Sequence, residues 1–288
     1  MTIPNLLITG ATGFIGFRTL LEALEAGYTI SEFTSNKELS FIEVPDILHP
    51  EAYTEALKDV TYAIHIASPI PLPFRNPLSE IIDPTVQGAA NILEAALKSP
   101  SLKRIVITSS IVANMPFPHA TENPPLVTAE SRVPNLKGGG GESVRVFPGF
   151  FYGKDERATD TKSLMSGSNR LVLTIILGTK FDDPRLAGAA HIDDVANVHV
   201  LALDKEKAGT QDFGVTTPVV YDNAFDIVKN HFPKEVDEGV FTQGSQPSLP
   251  INWNAEKTEE VLGFKFKAYE DMVIDVSKQY LGFSGKVT

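Results

Sequence analysis

The stretch TGATGFIG, residues 9–16, follows the apolar run Leu6-Leu7-Ile8 and leads into a segment with Leu20, Leu21 and Leu24 on one helical face. A strand, a glycine-rich turn and a helix in that order make a dinucleotide-binding arrangement. The first glycine, Gly10, permits a tight turn. The second, Gly13, lets backbone amides approach a pyrophosphate. The third, Gly16, lets the helix pack closely on the strand, while the helix N-terminus favours negative charge. The spacing is Gly10-x-x-Gly13-x-x-Gly16 rather than GxGxxG, so the flanking strand and helix carry much of the argument. The ribose partner expected about 20 residues on is an acid for NAD, or an arginine for the 2′-phosphate of NADP. Glu32 stands at a suitable distance, no arginine lies between Arg18 and Arg75, and Lys37 is the basic candidate for such a phosphate. This spacing favours NAD.

With 288 residues, 42% of them hydrophobic and 21% charged, the chain can build a sizeable core and has the balance of a globular protein. A formal charge of −11 argues against nucleic-acid and membrane-surface partners, which need a basic face. The absence of cysteine excludes disulfides, thiolate chemistry and cysteine-ligated metal, and no metal site is predicted. No apolar run approaches the roughly 20 residues that span a bilayer. No basic segment precedes an apolar one at the N-terminus. The expectation is a cytoplasmic protein.

Strands are expected at 5–9, 28–30, 41–44, 62–66, 104–108 and 143–147, and helices at 14–26, 52–57 and 86–97. Their alternation predicts a mostly parallel sheet covered on both faces. Two places break the pattern. Only SEFTSNKELS separates Ile30 from Phe41, which is short for a parallel crossover. Between Ser110 and Glu142, Pro116, Pro118, Pro124, Pro125 and Pro134 and the run Gly138-Gly139-Gly140-Gly141 leave no helical period. Further on, 147–153 reads as a strand end entering a loop. Asp160 is a candidate cap for a helix reaching Met165. Asp193 or Asp194 can cap a helix through Val195, Val198 and Leu201, and 258–262 and 269–280 read as C-terminal helices.

The blocks TGATGFIG (9–16), VPDI (44–47), HIASP (65–69), VITSS (106–110), HIDDVANVHVLAL (191–203) and LGFKFK (262–267) span almost the whole chain. In that order they resemble an extended short-chain dehydrogenase/reductase of the NAD-dependent epimerase/dehydratase family. The resemblance is to its dihydroflavonol-reductase-like branch, which includes fungal aldehyde, ketone and methylglyoxal reductases. It implies an α/β fold, a Rossmann-type doubly wound parallel sheet with a small discontinuous substrate lobe. The dinucleotide-binding domain would take 1–148 and about 186–215, and the substrate lobe about 149–185 and 216–288. Thr12, Gly13, Phe14 and Ile15 would line the pyrophosphate, Asp46 and Ile47 would flank the adenine, and Ala67 and Ser68 would touch the ribose and nicotinamide side. Ser110 would be the catalytic serine, bonding the substrate carbonyl, with Pro148 near the nicotinamide. The HIDDVA block would be structural, so His191 and Asp193 are not read as a catalytic pair. The implied activity is NAD(P)-dependent reduction of an aldehyde or ketone on a small metabolite. The family suggests NADP, although its usual arginine is missing here.

One departure bears on the chemistry. The family uses a tyrosine four residues before a lysine, the tyrosine donating a proton to the carbonyl oxygen and the lysine lowering its pKa. None of the tyrosines, at 28, 53, 62, 152, 221, 269 and 280, has a lysine four positions later. Relative to the family, the chain lacks two internal pieces, one with the second crossover helix and the arginine region, the other with the catalytic helix. Tyr152 with Lys154, or His119, are the available substitutes, and solvated loop residues are the better reading of them. A non-catalytic dinucleotide-binding protein is therefore the alternative function. Because the missing helix often builds the family's dimer, a monomer or weak dimer is expected.

Overall fold

The computed structural model describes residues 4–28, 39–69, 76, 78–116, 124–131 and 143–285. The chain divides into two compact units, Met1–Ile107 with Gly141–Val144, and Thr108–Gly140 with Arg145–Thr288. In the first, strand β1 (Leu6–Thr9) runs into helix α1 (Phe14–Glu25). β2 (Tyr62–His65) lies parallel to β1, with Leu6 opposite Tyr62 and Ile8 opposite Ile64. A π-helical turn (Leu78–Ile82) opens α2 (Asp83–Lys98), and β3 (Arg104–Thr108) then pairs in parallel with β2. Leu6, Ala63, Ile64, Ile105 and Val106 are buried, as strands covered on both faces require. α2 contributes Ile92 and Ala95 to a core with Tyr53, Leu57, Val60 and Ala63.

β4 (Ser143–Pro148) begins in the first unit and continues in the second. After it come β5 (Phe150–Tyr152), α3 (Thr161–Leu164), α4 (Asn169–Ile176), β6 (Arg185–Leu186), β7 (Gly188–His191) and α5 (Ile192–Leu201). The remaining elements are α6 (Lys205–Ala208), β8 (Phe213–Val215), β9 (Thr217–Pro218), α7 (Asn223–His231), α8 (Pro233–Asp237), β10 (Ser248–Leu249), α9 (Glu256–Leu262) and α10 (Tyr269–Ser284). β4 runs parallel to β8, β5 parallel to β7, β9 antiparallel to β7, and β10 parallel to β6. α4, α7 and α10 close on a core that includes Tyr152, Val172, Leu173, Val228, Met272 and Val276. Parallel strands joined through helices give the expected Rossmann-type α/β fold.

Several expectations need correction. Residues 41–44 form no strand, and Phe41 and Ile42 stay exposed. Among the described residues no strand pairs with 41–44, and β1 is the last strand of the sheet on that side. The segment 52–57 is a chain of tight turns rather than a helix. Bonds such as Thr54 N–H to Glu51 O (3.1 Å) and Lys58 N–H to Glu55 O (3.1 Å) hold it while Tyr53 and Leu57 sink into the core. Tyr28 is not in a strand, and Thr29 and Ile30 lie outside the described residues. The stretch read as a loop after β4 contains β5, because Phe150, Phe151 and Tyr152 find a parallel partner in Ala189, Ala190 and His191. Asp160 does cap α3, within a capping box closed by Ser163. On α5 neither aspartate is the cap: His191 is, its Nδ1 accepting from Asp193 N–H at 3.1 Å. The aspartates are drawn off by Lys267, whose Nζ reaches Asp193 at 2.5 Å and whose N–H donates to Asp194 at 2.8 Å.

Candidate active site

The glycine loop has the shape its spacing predicts. Gly10 sits at φ +73, and a Cβ there would stand 2.9 Å from Ala67 N, so the left-handed turn brings the end of β1 against the chain leaving β2. A Cβ on Gly16 would lie 2.0 Å from Gly10 O, which only glycine avoids. Gly13 is exposed and caps α1, whose first turn carries no acidic side chain. An anion can approach there without competition. Phe14 and Ile15 are buried, so their part in holding a pyrophosphate is a backbone one; Thr12 is exposed beside them.

Sequence reasoning missed Thr9. Its hydroxyl oxygen accepts from Ile66 N–H (3.1 Å) and Ala67 N–H (3.2 Å), and its proton goes to His65 Nδ1 at 2.8 Å. This ties the carboxyl ends of β1 and β2 together. Burial pushes His65 down to about 4, so the ring is neutral, and it packs edge-on against Tyr53 with centroids 6.0 Å apart. A threonine at a strand end before glycine was the available signal, but its three partners are more than fifty residues away in sequence.

A cavity of about 310 Å³ adjoins this loop, lined in part by Thr9, Gly10, Thr12, Ile47, Tyr53 and Ala67. Ile47 is held there by Asn91, a buried residue of α2 whose side-chain amide donates to Ile47 O (2.9 Å) and His49 O (3.1 Å). Asp46 turns its carboxylate to Leu48 N–H at 2.9 Å. Ser68 is exposed just past β2. Ser40 and Tyr53, also on the cavity wall, have buried hydroxyls without a partner among the described residues. The glycine cradle, the bare helix N-terminus and the mostly apolar wall fit a dinucleotide. Glu32 and Lys37 lie outside the described residues.

Ser110 and Pro148 belong to the second unit. Ser109 N–H donates to Val146 O at 2.7 Å, so the chain leaving β3 is registered on β4, and Pro148 is buried two residues beyond. Ser110 is half-buried and extended, directly before a 3₁₀ turn (Ile111–Asn114). Trp253 Nε1–H donates to Ile111 O (3.3 Å), and the Asn114 amide donates to Thr128 O and Ala129 O (3.1 and 3.2 Å), which fixes that turn. Among the described residues no polar partner occupies the Ser110 hydroxyl. Thr108, two residues earlier, donates to His199 Nε2 at 2.7 Å while His199 Nδ1–H donates to Val195 O at 2.6 Å. Tyr152 is fully buried and desolvation pushes it well above its ordinary value, so it is core rather than a substitute acid; Lys154 is exposed. His119 and the glycine run lie outside the described residues. His191 is a helix cap bonded to Asp275 at 3.1 Å, which accords with a structural HIDDVA block. No cluster of potential metal ligands occurs among the described residues.

The chain is 32% identical to the ketoreductase CTB6 of Cercospora nicotianae over 341 positions, covering 96% of this chain and 94% of that protein. It is also 32% identical to the NAD-dependent epimerase/dehydratase ALT6 of Alternaria alternata, covering 96% and 97%. Residues 6–132 match the NAD dependent epimerase/dehydratase family. The chain belongs to that family. The alignment with CTB6 is longer than this chain's 288 residues, so the relative carries internal stretches that have no counterpart here. Among solved structures of the fold, Gre2 of Candida albicans in complex with NADPH matches with a TM-score of 0.81 at 19% identity, covering 97% of this chain and 99% of that one. Yeast methylglyoxal/isovaleraldehyde reductase Gre2, complexed with NADPH, matches at 0.80 and 22%, covering 98% and 100%.

Proposed function

We propose that this epimerase/dehydratase-family protein is an NAD(P)-dependent oxidoreductase that reduces the carbonyl of an aldehyde or ketone on a small metabolite. The observation that carries the reading is the likeness to the ketoreductase CTB6 across nearly the whole of both chains. The intact glycine cradle supports it. Gly10, Thr12, Gly13, Phe14, Ile15 and Gly16 would hold the pyrophosphate, Asp46 and Ile47 would flank the adenine, and Ala67, Ser68 and Pro148 would lie on the nicotinamide side. The bound cofactor supplies a hydride. Ser110 would donate a hydrogen bond to the substrate carbonyl oxygen, which stabilises the charge that develops there, and solvent water would supply the proton that completes the alcohol. Residues 1–148 and about 186–215 form the cofactor domain in this reading, and about 149–185 and 216–288 the substrate lobe. The neighbours solved with NADPH favour NADP; the missing arginine favours NAD. No helix among the described residues is long and apolar enough to cross a membrane, and a cytoplasmic location goes with this reading.

The absent Tyr-x-x-x-Lys pair supports a second reading, a dinucleotide-binding protein without turnover. One experiment separates the two. NADH and NADPH oxidation is followed with a panel of aldehydes and ketones, beside calorimetric titration of each cofactor. Turnover in the ordinary enzyme range, roughly 1–1000 per second, establishes the reductase. Cofactor binding with no turnover leaves the second reading. No cofactor binding at all removes both.

A further inference from the structure

Acidic residues outnumber basic ones in this chain, 36 to 25, so an arginine finds a carboxylate easily. Arg18 pairs with Glu22 at 3.0 Å, Arg145 with Asp212 at 2.6 Å and Arg157 with Asp155 at 2.7 Å, and Arg104 is engaged as well. Arg170 and Arg185 are the other arginines among the described residues. Neither guanidinium has an ion pair or hydrogen bond there, although Asp182 and Asp183 are close to Arg185 in sequence. Both line one cavity of about 200 Å³. Arg170 comes from the first turn of α4 and Arg185 opens β6. Between them the wall is Phe150, Leu171, Thr174 and Phe181, and Phe150 is an exposed aromatic two residues after Pro148.

Two unpaired guanidiniums beside an aromatic wall make a receptor for an oxyanion on an apolar body. Guanidinium forks bind carboxylate and phosphate with paired, charge-assisted hydrogen bonds. Ser168, the residue before α4, lines the same cavity, so the positive dipole end of that helix lies beside it. A solvated surface arginine needs no explanation alone. Here, however, the two arginines left without a carboxylate partner among the described residues share one pocket.

We infer that this cavity is a substrate subsite in which Arg170 and Arg185 hold an oxyanion, a carboxylate or phosphate monoester, carried by an aromatic or otherwise apolar carbonyl compound. The inference rests on the reductase reading and names its substrate class. The test uses the full chain and three probes, 4-acetylbenzoate, its methyl ester and 4-acetylphenyl phosphate, with binding measured by calorimetry in the presence and absence of NADPH and NADH. At least one anionic probe binds about tenfold or more tighter than the ester. Which anion binds tighter identifies the oxyanion. Arg170→Gln and Arg185→Gln each abolish the preference and leave cofactor affinity unchanged. Both positions are exposed, so the variants fold. Equal binding of acid and ester, a preference that survives both substitutions, or no binding of any probe at about 10 mM overturns the subsite. Because binding is read apart from turnover, loss of this preference in an active enzyme sinks the subsite alone. An inactive protein that keeps the preference sinks the reductase reading alone.

Discussion

At the residue scale, the glycines and the serine carry different kinds of information. Gly16 is required by backbone crowding: its missing Cβ would overlap the Gly10 carbonyl at 2.0 Å. Gly16→Ala therefore forces the loop apart. We expect a loss of about 1–3 kcal/mol in thermal stability and at least about a tenfold loss of NAD(P)H affinity, measured by calorimetry and thermal melting. An unchanged affinity would remove the loop from the cofactor site. Ser110 is held by contacts to its neighbours while its own hydroxyl has no polar partner among the described residues. Ser110→Ala should leave stability and cofactor affinity unchanged and lower turnover about 10- to 100-fold. Equal turnover in the variant would show that the serine does not touch the carbonyl. The glycines were legible because their spacing is local. Thr9 and Asn91 were not, since each acts on residues more than forty positions away.

At the scale of elements, two neutral histidines and one aspartate link neighbouring segments and set a pH dependence. His65 joins β1 to β2, and His199 joins α5 to the end of β3; burial lowers both from 6.5 to about 4. Their folded values lie below the unfolded one. Their contribution is thus complete above about 6.5 and is lost as pH falls towards 4, on the order of several kcal/mol together. Asp194 has the opposite sign: burial raises it from 3.8 to about 6. Its contribution is complete below 3.8 and is lost as pH rises through 6. The terms oppose each other between pH 4 and 6, which flattens the profile. Asp194→Asn removes the opposing term, and chemical denaturation at stepped pH should then show a steeper rise in stability from pH 4 to 6.5. A profile parallel to the parent would refute the assignment. The elements themselves were legible where one local signal sufficed, the apolar period in α1 and α2 and the Asp160 cap in α3. They were not where a partner strand decided the outcome: 41–44 has strand composition but pairs with no strand among the described residues, and Phe150–Tyr152 became a strand because β7 lies beside it.

At the scale of the whole molecule, the first unit carries an uncovered apolar stripe. Leu78, Ile82 and Val86 recur every fourth residue along the turn and helix of α2, at 61%, 52% and 64% exposure, and Leu97 is 87% exposed at its end. Contiguous apolar surface of this kind drives association. Sedimentation velocity should show concentration-dependent self-association, reduced in the Val86→Lys, Leu97→Lys double variant with no loss of thermal stability. A monodisperse parent at high concentration would argue against it. The likeness to CTB6 extends along the chain, yet that alignment needs more positions than the chain has, so the fold persists with less material than this relative uses. By itself the sequence determined the alternating α/β order, the glycine loop, the family and the absence of the Tyr-x-x-x-Lys pair. Each depends on local period or short spacing. Tertiary structure decided that Tyr152 is core, that His191 caps a helix, that Thr9 ties two strands, and that Arg170 and Arg185 share a cavity. Burial and pairing belong to residues brought together by folding, and no spacing along the chain encodes which ones meet.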